Sequence, residues 1–145
     1  GGRGEGEQHT AWHVQLEEAV LQTNSAISNV MVVGDDRPFL SCFISLKTAA
    51  EGTDILHEDS MFAAQLFGST AHTVMQAKDD AGFRAFLVDS IARVNRHFRQ
   101  PSSAIRKFII LLVDFLPAIT KTQGPRALTT AMRDSIKSRF HKIIE

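Results

Sequence analysis

Apolar positions along the chain change period several times, and each change marks an element. Residues 1–10 have no periodicity, open Gly1-Gly2-Arg3-Gly4-Glu5-Gly6-Glu7, and read as a flexible linker. From Trp12, the apolar residues Trp12, Leu16, Ala19 and Val20 share one helical face, with Glu17 and Glu18 on the other; Asn24 and Ser25 interrupt it. Ile27 to Val33 is rich in β-branched residues and predicts a strand. Gly34-Asp35-Asp36-Arg37-Pro38 is turn chemistry, and Phe39 to Leu46 is a second apolar run. Two strands this close in sequence pair as an antiparallel hairpin.

Residues 48–59 form a polar connection. Ser60 then caps a short helix running to Phe67 and stopped by Gly68, and a second short helix covers Ala71 to Ala77. Asp79 and Asp80 precede the clearest helix, whose apolar positions are Phe83, Phe86, Leu87, Ile91, Val94 and Phe98; Pro101 ends it. Ile105 to Phe115 reads as a strand, with Phe108 to Val113 covered on both faces. Pro117 to Arg126 is irregular, and Thr129 or Thr130 caps a last helix with Met132, Ile136, Phe140 and Ile143 on one side. The order predicts an α+β domain over 11–145, a small, mostly antiparallel sheet with flanking helices.

A chain of 145 residues that is 43% apolar is long enough for one core and too hydrophobic for intrinsic disorder. Its net charge of zero excludes a broad polyanion-binding surface, so no nucleic acid is expected as a partner. The single cysteine, Cys42, excludes an internal disulfide and points to a reducing compartment. The longest apolar stretch, Phe108 to Val113, is far short of the roughly 20 residues of a membrane-spanning helix. The opening residues are unlike a signal peptide, and the missing initiator Met suggests a piece of something longer. These features lead to the expectation of a cytoplasmic location, or a peripheral one at a membrane.

Few side chains assemble into candidate chemistry. His9 and His13 have the spacing of helical metal ligands but no third partner, so no metal site is expected. His57-Glu58-Asp59 reads as solvated loop charge. Cys42, inside an apolar strand, reads as an inert buried thiol, and Ser41 with any histidine makes no recognisable triad. Arg93, Arg96, Arg99, Arg106 and Lys107 form a basic cluster that suits either phosphates, an acidic lipid surface or plain solvent. Phe83, Phe86, Phe98, Phe108 and Phe115 sit at core spacings.

Several stretches narrow the choice. Leu16-Glu17-Glu18-Ala19-Val20, followed by Ile27-Ser28-Asn29-Val30-Met31-Val32-Val33-Gly34-Asp35-Asp36-Arg37-Pro38-Phe39-Leu40-Ser41, resembles the C-terminal domain of long-chain acyl-CoA synthetases, with its "IEEAV" and "ISNAMVIGDxRxFLS". Leu46-Lys47 is similar to the end of that strand in the bubblegum-type branch. Arg93-Val94-Asn95 matches the family's "RVN", and Ile105-Arg106-Lys107-Phe108 with Asp114-Phe115 resembles its "IxKWxILxxDF" strand. Residues from Arg133 to Glu145 resemble its last helix.

The resemblance implies a mobile lid domain, partnered by an upstream adenylating domain of the same protein. It also implies activation of a fatty acid with ATP and Mg, then transfer to CoA. No cofactor is expected on this domain alone, because nothing in the chain resembles an ATP site. The family inserts one lysine from the loop before its last helix, in "GGELxPTMKLKR". Counting back from Arg133, that slot holds Thr130, so no catalytic residue is intact. The family's "GGEN" turn, which shapes the CoA-facing surface, aligns with Glu7-Gln8-His9-Thr10, and its glycines are gone from that position. His9, Thr10 and Arg133 are the candidate cofactor-facing residues under this resemblance, and the chain is expected to be impaired in catalysis. Thr130 as a simple helix cap, and the whole as a non-catalytic scaffold or protein-interaction module, is the alternative.

Overall fold

A computed structural model describes residues 11–34, 39–98 and 104–112. Within these, the order is α1 (Ala11–Thr23), β1 (Ile27–Val33), β2 (Leu40–Leu46), α2 (Glu58–Gln65), α3 (Val74–Asp79), α4 (Ala81–Phe98) and β3 (Ile105–Ile110). The α+β expectation is borne out.

The hairpin forms as anticipated: β1 and β2 pair antiparallel, with Val30 opposite Ile44 and Met31 opposite Phe43. Gly34, which ends β1, has φ of 123°, and a Cβ there would come within 3.0 Å of the Phe39 carbonyl oxygen, so this position requires glycine. β3 joins the other side of β2 in parallel, giving the order β1-β2-β3. The described sheet is therefore mixed: one antiparallel pair and one parallel pair. The parallel pairing follows from the long crossover through α2, α3 and α4, which returns the chain to the end of the sheet at which β2 began.

Strand β2 is the middle of the sheet and every one of its residues is buried. Leu40, Cys42, Ile44 and Leu46 enter one core with Val30 and Val32 of β1 and Ile105 and Ile110 of β3. Leu16 and Val20 of α1, and Phe83, Leu87, Ile91 and Val94 of α4, close the same core. Alternation turns Met31, Val33 and Phe43 to the opposite face, where they too are buried.

Four local expectations need correction. Glu17 does not face solvent: it is fully buried, and its Oε2 accepts the Val32 backbone N–H at 2.8 Å. A strand at the sheet edge has outward N–H groups that need partners, and the carboxylate reaches one of them. Helix α2 starts earlier than Ser60; its N-cap is His57, whose Nδ1 accepts the Asp59 N–H at 3.1 Å, while Ser60 lies buried within the helix. α3 begins at Val74, not Ala71, because Thr73 Oγ1 accepts the Gln76 N–H at 3.0 Å and so caps it. Lastly, β3 is not covered on both faces: Arg106 and Lys107 are exposed, Phe108 and Ile109 are half-buried, and Leu112 is 45% exposed. β3 pairs only with β2 among the described strands, which leaves that side of it open.

Candidate functional site

Where β2 leaves the sheet, the chain builds a groove of about 660 Å³. Its floor is apolar (Leu46, Val74, Leu111, Leu112), and its walls carry Ser28, Ser45, Lys47, Asp54 and His57. The backbone holds these elements together. Lys47 donates to the Ala26 carbonyl at 2.8 Å, His57 to Lys47 at 3.1 Å, Val74 to Asp54 at 2.9 Å, and Leu111 to Ile44 at 2.8 Å. A register shift between Ile27 and Asn29 brings Ser28 level with Ser45, and their hydroxyl oxygens lie 2.9 Å apart. Because His57 Nδ1 accepts a backbone N–H, the neutral ring carries its proton on Nε2.

This arrangement suits binding rather than bond-making. The groove pairs no base with a nucleophile, and its cationic and anionic groups sit side by side. Among the described residues no group of three or more His, Cys, Asp or Glu side chains is arranged to hold a metal ion, nor is any helix long and apolar enough to cross a membrane. Cys42 is fully buried; burial first, and the Glu17 charge second, push its thiol well above the ordinary range, so it stays an unreactive thiol. Ser41 Oγ is buried with no hydrogen-bond partner, so it has no base to activate it.

The residues that the sequence singles out for chemistry, His9, Thr10, Thr130 and Arg133, lie outside the described residues, as do Arg99 and Phe115. The motif residues that are described build the scaffold. Asn95 clasps the first residue of β3 twice, its Nδ2 donating to the Ile105 carbonyl and its Oδ1 accepting the Ile105 N–H, both at 2.9 Å. Val94 beside it is core, and Arg93 pairs with Asp89 one turn back. Arg93 thus leaves the proposed phosphate-facing cluster for a local ion pair, while Arg106 and Lys107 remain exposed on β3. Asn24 links α1 to α4 by donating to Ser90 Oγ at 2.9 Å, and its Oδ1 accepts the Ala26 N–H at 2.8 Å. Phe83 is fully buried, and Phe86, Phe98 and Phe108 pack partly buried against the core. Phe98 meets Trp12 edge-on at 4.9 Å, and the Arg84 guanidinium lies 4.6 Å from the Phe108 ring centre.

Sequence reasoning missed the groove, whose walls come together only through the register shift and the 48–57 connection. The sole hint in the sequence is the pair of serines flanking otherwise apolar strand positions.

No family model matches the chain, and no solved structure matches it. Known proteins do. Over 110 residues the chain is 38% identical to the long-chain-fatty-acid–CoA ligase ACSBG1 of Homo sapiens, a match that covers 70% of this chain and 15% of that protein. Over 112 residues it is 33% identical to the long-chain-fatty-acid–CoA ligase ACSBG2 of Rattus norvegicus, covering 72% of this chain and 17% of that protein. The match to ACSBG2 of Xenopus laevis is weaker, 27%, but runs over 137 residues and 89% of this chain. The chain therefore spans less than a fifth of the length of these relatives.

Proposed function

We propose that this chain, a homologue of one segment of the long-chain fatty-acid–CoA ligases, is the small closing domain of a protein of that kind, impaired in its catalytic contribution. The observation that carries the reading is 38% identity over 110 residues to a ligase of that name. Asn95, Glu17 and Asn24 support it, because each motif residue described has a definite task in one scaffold.

In such a ligase a fatty acid is first adenylated with ATP and its magnesium, then handed to CoA. Those groups belong largely to an adenylating domain; the small domain supplies a charged side chain as it closes. An ammonium aimed at the phosphate and carboxylate oxygens stabilises charge that develops as pyrophosphate leaves. Thr130 stands in that slot, and a hydroxyl brings no fixed charge. His9, Thr10 and Arg133 are the residues we assign to the CoA-facing side. A non-catalytic scaffold is the second reading, favoured by the fact that the described motif residues all serve folding.

The test is acyl-adenylate and acyl-CoA formation by the protein that carries this chain. The unmodified protein should be nearly inactive, and Thr130→Lys should raise adenylation by about a hundredfold or more, the usual worth of one positioned electrostatic group. Efficient ligation by the unmodified protein would contradict the impairment. If Thr130→Lys has no effect in a protein that still binds ATP, the scaffold reading stands instead.

A further inference from the structure

Helix α2 wears its hydrophobicity on the side away from its own domain. Its buried residues are Ser60 and Ala64, one turn apart. Phe62, 59% exposed, and Leu66, 87% exposed, are likewise one turn apart and share the outer face. Phe67 extends this ridge, and its ring lies 5.5 Å from that of Phe86, which in turn meets the buried Phe83 edge-on at 5.6 Å. The ridge is thus fixed to the core by a line of rings. Beneath it, a Cβ on Gly82 would collide with the backbone of Phe67, Gly68 and Ser69, so α4 touches the turn after α2 directly. Small residues inward let the helix sit close. Large ones outward forgo about 1.5–3 kcal/mol each of burial.

We propose that the ridge of Phe62, Leu66 and Phe67 is the docking surface for the large remaining part of the same protein, the adenylating domain of the reading above, on which this inference rests. Two observations choose that occupant. The matched segment is only 15% of the human ligase's length, so a partner many times larger would be tethered to it. Tethering supplies an effective concentration on the order of millimolar, at which a small apolar contact is productive. The ridge is also flanked by acid: Glu58 and Asp59 open α2, after Glu51 and Asp54. Such a border is repelled by anionic lipid and fits a protein pocket rimmed with Lys or Arg.

Deuterium uptake at the amides of residues 58–68 tests this, measured in the 145-residue chain and in the full reading frame that encodes it. Uptake should slow by about tenfold or more in the longer protein, with the amides of 90–95 unchanged. The double variant Phe62→Ser, Leu66→Ser should remove the difference while the unfolding midpoint of the 145-residue chain stays put. Equal uptake in both proteins overturns the docking. So does strong protection already present in the 145-residue chain, or protection that appears only with phosphatidylcholine vesicles. A frame without a large upstream domain overturns this inference and the closing-domain reading together. A frame with one that protects α2 yet makes no acyl-CoA even after Thr130→Lys overturns only the catalytic part of that reading.

Discussion

Helices α4 and α2 lie in the same crossover and use opposite logic. α4 buries Phe83, Leu87, Ile91 and Val94, its large apolar residues at helical spacing, and turns Arg93 and Arg96 to solvent. α2 buries Ser60 and Ala64 and exposes Phe62 and Leu66. The difference teaches that the face a helix buries is set by the room available as well as by hydrophobicity. α4 spans the sheet's core, where bulk is needed; α2 rests on α4 and on a backbone turn, where only small side chains fit. One helix serves the domain, and the other serves something outside it.

The most damaging way to break the comparison is on the α4 side. Leu87→Ala should remove about 2–5 kcal/mol of stability, since Leu87 is fully buried in the main core, and urea unfolding reads this directly. A loss under about 1 kcal/mol would mean that α4 is not the core helix described here.

A smaller effect sharpens the joint between the two helices. Burial works to raise the Asp80 carboxyl, but hydrogen bonds outweigh it: the Phe83 N–H first, then the Ser69 hydroxyl and the Thr70 and Gly82 N–H groups, holding Asp80 below the usual carboxylate range. The Phe83 bond is 2.7 Å long. A pKa depressed on folding means that the native state binds fewer protons than the unfolded chain. The stabilisation is therefore complete above the ordinary Asp value of about 3.9 and fades as pH falls through the lower folded value. Asp80→Asn should be less stable than the parent at neutral pH, and the two should converge in acid. A gap that persists at the acid end would remove Asp80 from that role.

Much of the fold could be read from sequence. β1 was legible to the residue because Ile27, Val30, Val32 and Val33 crowd a short run between turn residues. α4 was legible because its apolar period is unbroken. Other features depend on tertiary context. The exposed flank of β3 hides behind a uniformly apolar sequence, because an edge strand and a central strand look alike until neighbours are known. His57 as a cap is invisible to rules that expect Ser, Thr, Asp or Asn. Glu17 looks like a solvated helix charge, and only the nearness of Val32 turns it into a buried acceptor. The inverted face of α2 was open to inspection, since Phe62 and Leu66 stand four apart opposite Ser60 and Ala64, but an ordinary reading assigns the large residues inward. The candidate catalytic residues rest on resemblance, and the groove at the end of β2 on a register shift that no sequence rule anticipates.

The smallest expected effect is the most telling. Leu66→Ser in the 145-residue chain should change urea unfolding by no more than about 0.5 kcal/mol, as for any side chain that contributes nothing to its own domain. A loss comparable to that of Leu87→Ala would show Leu66 packed within the domain and contradict the outward-facing ridge.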